Sequence, residues 1–287
     1  MSVSTSSLPE LRPQKRLPYA PPVPSLRDAR PVSLMPKPTQ AYQRLLGPAL
    51  VVVLWFVLTS AGWVPADALP SPGSVATTFS ELAVGGYLEA NILASLVRAL
   101  NGLAAGVAGG VVLALLAGLT RPGDALFDGL VQIKRALPNL ALIPLFIMWM
   151  GIGEAMKITV IALGVFVPVY INTHAALRDI DARFVELAQT IELSRRQFLR
   201  YIVFPACLPG FFTGLRLAAT HAWTALVVVE TINATSGIGF MISQARIYGQ
   251  IEIVFAGLVM YGVLGFGTDA LIRALQKKVL GWRQTIA

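Results

Sequence analysis

Apolar residues fall into six long runs separated by short polar or charged stretches. Positions 48–64 give 17 residues without a charge, 99–120 give 22, 136–153 give 18 and 158–177 give 20. The stretch 201–229 is interrupted only by Arg216 and His221, and 253–268 adds a further 16 residues. An apolar helix crosses the hydrocarbon core in about 20 residues, with a working range near 17–25. Five runs meet that length outright, and the sixth meets it if Glu252 or Asp269 sits at the interface. The pattern predicts an all-α polytopic membrane protein with six transmembrane helices.

Composition agrees. Only 13% of the 287 residues are charged and 55% are apolar, with a mean hydropathy of +0.66. A soluble domain carries about a quarter charged residues, so a soluble enzyme is excluded. The single cysteine, Cys207, rules out an intrachain disulfide and any multi-cysteine metal site. His174 and His221 are too far apart for a helical metal pair, and they read as hydrogen-bonded packing residues. No metal site is expected, and no cofactor. No lysine follows a glycine, so there is no phosphate-binding loop of the GK type; any ATP used is bound by another chain.

Charge placement sets the topology. Lys and Arg near span ends are retained on the cytoplasmic side. With the N-terminus inside, the inner segments hold 17 of these residues, and the outer segments 65–89, 151–156 and 232–249 hold only Arg246. Both termini are therefore expected in the cytoplasm. The net charge of +8 follows from this asymmetry and needs no nucleic-acid partner. Residues 1–46 carry nine prolines and seven Lys/Arg against two acids, which predicts a disordered basic cytoplasmic tail. The six spans then occupy 47–282, and 283–287 form a C-terminal tail.

Several features inside the spans invite function. Gly102, Gly106, Gly110, Ala114 and Gly118 recur every fourth position on one helix face, where another backbone can approach closely. A bundle or dimer contact and ordinary intramembrane packing both fit. Pro138, Asn139 and Pro144 lie in the third run behind Lys134 and Arg135. A broken helix at a translocation path and a simple kink both fit there. Arg216, about 14 Å along its helix from Cys207, is a candidate for attracting an anion in transit, as is Arg98. The alternative for Arg216 is pairing with a carboxylate such as Glu230 or Glu252.

The inner loop at 181–205 is patterned. Phe184, Leu187, Ala188 and Ile191 recur at helical spacing behind Asp181 as N-cap. Ser194 and Gln197 form a capping-box signature for a second short helix, which Pro205 is expected to stop. Two short amphipathic helices with a turn at Glu192–Leu193 suit either a groove on a soluble partner or the lipid surface.

This loop resembles the EAA loop of ATP-binding-cassette (ABC) importer permeases. Glu186, Leu187 and Ala188 take the Glu-Ala-Ala positions, and Ile202, Val203, Phe204 and Pro205 take the Ile-x-Leu-Pro positions. Leu187 replaces the middle Ala. Glu192 replaces a Gly at a turn where φ > 0 would be needed. LPSP at 69–72, RALPNLALIPLFIMWMGIGEAMKI at 135–158, LPGFFTGLRLA at 208–218 and ETINATSGIGFM at 230–241 are similar to the sulfonate/taurine/nitrate branch, closest to aliphatic-sulfonate permeases. The resemblance implies a type I ABC importer permease fold and a homodimer of permease subunits in the bacterial inner membrane. It also implies two cytoplasmic ATP-binding subunits gripping the loops and a periplasmic substrate-binding protein. The expected cargo is a small organic anion, an aliphatic sulfonate first, with nitrate, bicarbonate or taurine as alternatives. A secondary carrier would need internal repeats, and none is found. A membrane enzyme would need clustered acids, Cys or His; Asp179 and Asp181 read as capping residues instead.

Overall fold

A computed structural model describes residues 46–282. All but one residue of the basic tail, and the C-terminal tail at 283–287, lie outside the described residues. Every regular element among the described residues is helical. The elements are α1 (Leu46–Ser60), α2 (Pro72–Val84), α3 (Tyr87–Leu119), α4 (Arg121–Ala136), α5 (Asn139–Met150), α6 (Glu154–Arg178), α7 (Ala182–Thr190), α8 (Arg195–Asn233), α9 (Ile238–Ile247) and α10 (Ile251–Val279).

Four helices, α3, α6, α8 and α10, are long and apolar enough to cross a membrane. The bent pair α4–α5 makes a fifth if counted as one span, and α1 is a shorter apolar helix of 15 residues. The expected count of six straight spans is thus met only in part.

Helix α6 is the centre of the bundle. Met156, Val160, Ile161, Val165 and Val169 are fully buried between α3 on one side and Ala218, Ala222, Leu226 and Val229 of α8 on the other. The small-residue stripe of α3 makes this possible. A Cβ on Gly106 would lie 2.5 Å from the Ala162 carbonyl oxygen, and one on Gly110 would lie 2.9 Å from that of Phe166. In lipid, where apolar surface gains little from leaving solvent, such close van der Waals approach is the main source of helix association. The stripe therefore packs against α6 of the same chain.

The third apolar run is not one helix. The chain leaves α4 with Leu137 and Pro138 both extended (ψ 126° and 120°), and α4 and α5 meet at 93°. Proline steers its predecessor out of the helical region, which breaks the run at that point. Asp124 contacts His174 and Arg178, Tyr170 donates to Asp128, and Asn139 donates to the Val160 carbonyl. These pairings make α4 climb antiparallel to α6 from its C-terminal end. The climb is made by a helix bearing Asp124, Asp128, Lys134 and Arg135, which a search for uncharged runs passes over.

Pro205 does not stop the second loop helix. A π-helical turn at Leu199–Val203 precedes it, and Arg195–Asn233 runs on as a single 39-residue element. Proline is tolerated in the first turn of a helical segment because its missing N–H would have no α-helical partner there. The π turn shifts the ladder so that the Phe204 N–H bonds to the Leu199 carbonyl. At the other end of the bundle, LPSP acts as a joint. Ser71 caps α2 by accepting from the Ser74 N–H at 3.0 Å, with Pro72 at the helix start. Trp55 Nε1 of α1 donates to the Pro70 carbonyl at 2.9 Å.

Candidate functional site

The hairpin formed by α7 and the start of α8 is held by local chemistry. Asp181 accepts from the Arg183 N–H at 2.9 Å and opens α7. At the far end, Leu193 N–H bonds to the Ala188 carbonyl at 2.9 Å and Glu192 N–H to that of Gln189 at 3.1 Å. This is the paired bonding of a Schellman cap, whose first residue past the helix end adopts the left-handed conformation. Glu192 sits there at φ 53°, the single non-glycine with positive φ among the described residues. The sequence expectation at this turn is met, with a side chain where glycine would be unstrained. Ser194 and Gln197 then close a complete capping box, and Ser194 N–H donates to Gln197 Oε1 at 2.9 Å.

The outcome is a rigid knob with an uncovered ridge. Phe184, Leu187 and Ile191 are each more than half exposed, while Ala188 is buried over a small pocket shared with Val185, Leu193 and Phe198. Glu186 is exposed and makes no ion pair among the described residues. A helix showing three large apolar side chains and a free carboxylate is built to meet another surface.

A cavity of about 640 Å³ opens at the α4–α5 elbow. Lys134, Arg135, Pro138 and Asn139 form one wall, Gly164, Pro168 and Asn172 of α6 another, and His221 and Thr224 of α8 the third. No lining residue is acidic. Lys134 Nζ donates to Asn139 Oδ1 at 3.1 Å, and Asn139 Nδ2 donates to the Val160 carbonyl at 3.0 Å. Asn139 thus fixes the elbow to α6 and aims the lysine. Gly164 leaves room for it, since a Cβ there would lie 3.1 Å from Asn139 Nδ2. The cavity combines two cations, an amide, a hydroxyl and an imidazole, which is chemistry for an anion with several acceptor oxygens.

Of the four translocation-path candidates, the structure brings Pro138 and Asn139 to this cavity and places Arg98 and Arg216 elsewhere. Arg216 Nε bonds to Asp269 Oδ1 at 2.9 Å, so its partner is neither Glu230 nor Glu252. Arg98 is buried and spans two carboxylates, at 2.6 Å to Glu154 Oε2 and 2.7 Å to Glu230 Oε1. Glu230 also accepts from Ser95 Oγ, from Tyr261 Oη at 3.0 Å and from the Gly239 N–H at 2.9 Å. Asn91 and Ser95 of α3 accept from the Gly237 and Ile238 N–H groups. The opening amides of α9, which have no partner within the helix, are satisfied by α3 and α8. Gly237 holds φ +117°, and a Cβ there would collide with the Glu230 carboxylate. That collision explains the Ser-Gly-Ile-Gly run.

The two histidines divide. His174 is buried, stacked on Tyr170 and bonded to Asp124 at 3.1 Å, as a packing residue should be. His221 is exposed and lines the cavity, contrary to the sequence expectation, because it falls on the α8 face turned toward the elbow.

Residues 106–281 match the family described as binding-protein-dependent transport system inner membrane component. The chain belongs to that family. It is 39% identical over 241 residues to a Bacillus subtilis protein named as an aliphatic sulfonates transport permease, covering 84% of this chain and 87% of that one. The similarly named Escherichia coli protein is also 39% identical, over 82% and 89% of the two chains. An E. coli taurine transport system permease protein is 30% identical over 82% and 87%. Two solved structures share the fold. An amino acid ABC transporter chain gives a TM-score of 0.56 at 16% identity, covering 70% of this chain and 97% of its own length. A chain of the MetNI methionine ABC transporter gives 0.53 at 20% identity, with 70% and 98% covered.

The chain is therefore an inner-membrane ABC importer permease and not an enzyme; ATP hydrolysis belongs to a separate subunit. For this permease, sequence reasoning noted Lys134 and Arg135 only as neighbours of the third run and did not rank them as site residues. Their signal was present: two adjacent cations directly before a Leu-Pro-Asn break, where positive charge meets irregular backbone.

Proposed function

We propose that this permease carries an aliphatic sulfonate inward through the elbow cavity, as one half of a homodimer of six-span subunits with cytoplasmic termini. The reading rests on the acid-free cavity at Lys134, Arg135, Asn139 and His221, in a chain 39% identical to proteins named for aliphatic sulfonates. A sulfonate presents three acceptor oxygens on one charge, and donors around this cavity match that geometry. Taurine adds an ammonium group, for which the lining offers no carboxylate, so the simple alkanesulfonate fits better than taurine.

The hairpin at 181–205 is the docking knob for a cytoplasmic ATP-binding subunit, with Glu186 and the Phe184–Leu187–Ile191 ridge as the contact. Leu187, Ala188, Glu192, Ser194 and Pro205 shape that knob rather than bind cargo. A periplasmic binding protein delivers the anion to the outer mouth. Closure of the two ATP-binding subunits would move the knobs and tip the spans between inward and outward openings. Arg98 serves the buried ion cluster, and Arg216 serves the α8–α10 contact.

Uptake by the reconstituted transporter tests the cargo. Lys134→Gln is expected to lower alkanesulfonate uptake about tenfold or more, the scale of one lost charge-assisted contact, with membrane insertion and ATP-binding-subunit association unchanged. Undiminished sulfonate uptake by Lys134→Gln, or faster uptake of taurine than of ethanesulfonate by the wild type, would rule the assignment out.

A further inference from the structure

A second concavity of about 610 Å³ lies between α3 and α8. Val111, Leu115 and Leu119 form one wall, and Leu199, Phe204 and Leu208 the other. Apart from Thr173 at its floor, no lining residue carries a polar side chain other than the Cys207 thiol. The groove is turned away from the elbow cavity. Leu208 lines the groove and Leu217 the cavity; nine residues apart at about 100° each, they stand half a turn out of phase.

Length and charge indicate what fills it. On α3 the lining runs from Val107 to Leu119, and on α8 from Leu199 to Phe211. Each wall is about 18 Å long at about 1.5 Å per residue, close to the roughly 15 Å depth of one hydrocarbon leaflet. The ends marked by Leu119 and Leu199 run directly into Arg121 and into Arg195, Arg196 and Arg200. All four arginines are exposed, and none forms an ion pair among the described residues. An apolar slot one leaflet deep, with unneutralised guanidinium groups at its mouth, complements a molecule with a hydrocarbon tail and an anionic head.

We propose that this groove holds one acyl chain of an anionic phospholipid from the inner leaflet, its phosphate drawn to Arg121, Arg196 and Arg200. The bound chain would lie against Leu199 and Val203, the π turn that joins the docking knob to its span. The inference rests on the cytoplasmic placement of the knob proposed above.

The test uses the full chain in nanodiscs with a photoreactive phosphatidylglycerol whose diazirine sits mid-chain. Cross-links are expected in peptides 107–119 and 199–211, competed by phosphatidylglycerol at least fivefold more effectively than by phosphatidylcholine. Ala108→Trp, which fills the slot, should cut labelling at least fivefold. Arg196→Gln/Arg200→Gln should equalise the two competitors while leaving the thermal transition in place, so a misfolded tryptophan variant would not blunt the test. Labelling outside the groove, equal competition in the wild type, or cross-links from groove residues to a second copy of the chain would overturn the proposal. Sidedness of thiol labelling in Ser194→Cys vesicles reads the knob's orientation separately, so an error there is recognised as such.

Discussion

Glu192 shows how much one backbone angle can decide. The hairpin turns on a left-handed residue, and an L-side chain in that region costs about 1–2 kcal/mol relative to glycine. Glu192→Gly is expected to raise stability by about 1 kcal/mol, read as a higher midpoint in thermal unfolding of the detergent-solubilised chain, whereas Glu192→Ala should bring no such gain. Glu186 is the converse case, exposed and structurally idle within the chain. Glu186→Lys is expected to abolish uptake while leaving expression, insertion and melting temperature at wild-type values; wild-type uptake in that variant would end the docking role. Both residues were legible in the sequence, the first as a departure from a glycine position and the second as the head of a patterned loop. His221 was not, because its environment depends on which face of α8 meets the elbow, and a one-dimensional apolar run carries no such phase.

At the scale of elements, hydrophobic run length located α3, α6, α8 and α10 well, since in each the apolar stretch and the helix coincide. It failed at α4–α5 for a definite reason. A helix lining a polar cavity need not be apolar all round, so α4 carries Asp124, Asp128, Lys134 and Arg135 and escaped a search for uncharged segments. The break at Pro138 was visible, but its 93° angle was not, since a proline sets only its own φ and biases its neighbour. Pro205 misled in the opposite sense, because nothing in the local sequence announces that a π turn will absorb it. The α3–α6 seam is the element most sensitive to substitution. Gly106→Leu would drive a side chain onto the Ala162 carbonyl and Val165, and it is expected to destabilise the bundle by about 3 kcal/mol or more, measured as loss of the folded, monodisperse species after solubilisation. The capping box permits a milder test. Ser194→Ala should cost about 1 kcal/mol locally, seen as faster hydrogen exchange across 195–199 with little change elsewhere.

Across the whole molecule, the ion cluster around Glu230 ties together α3, the start of α6, the end of α8, α9 and α10. Its residues were known from the sequence as isolated charges, but their partners lie 56 to 138 positions apart, beyond the reach of any local rule. Breaking a buried pair by removing one member leaves an uncompensated charge and costs about 3–5 kcal/mol. Glu230→Gln is therefore expected to unfold or markedly weaken the bundle, while Glu154→Gln, at a half-exposed carboxylate, should cost far less; comparable melting losses in the two would contradict this layout. A carboxylate with every lone pair engaged cannot exchange partners cheaply during a transport cycle. The periplasmic crown of this permease is then the stiff part of the machine, and the freedom to rock between two openings must reside below it, at the proline elbow and at the wound-out turn beneath the ATPase-facing knob.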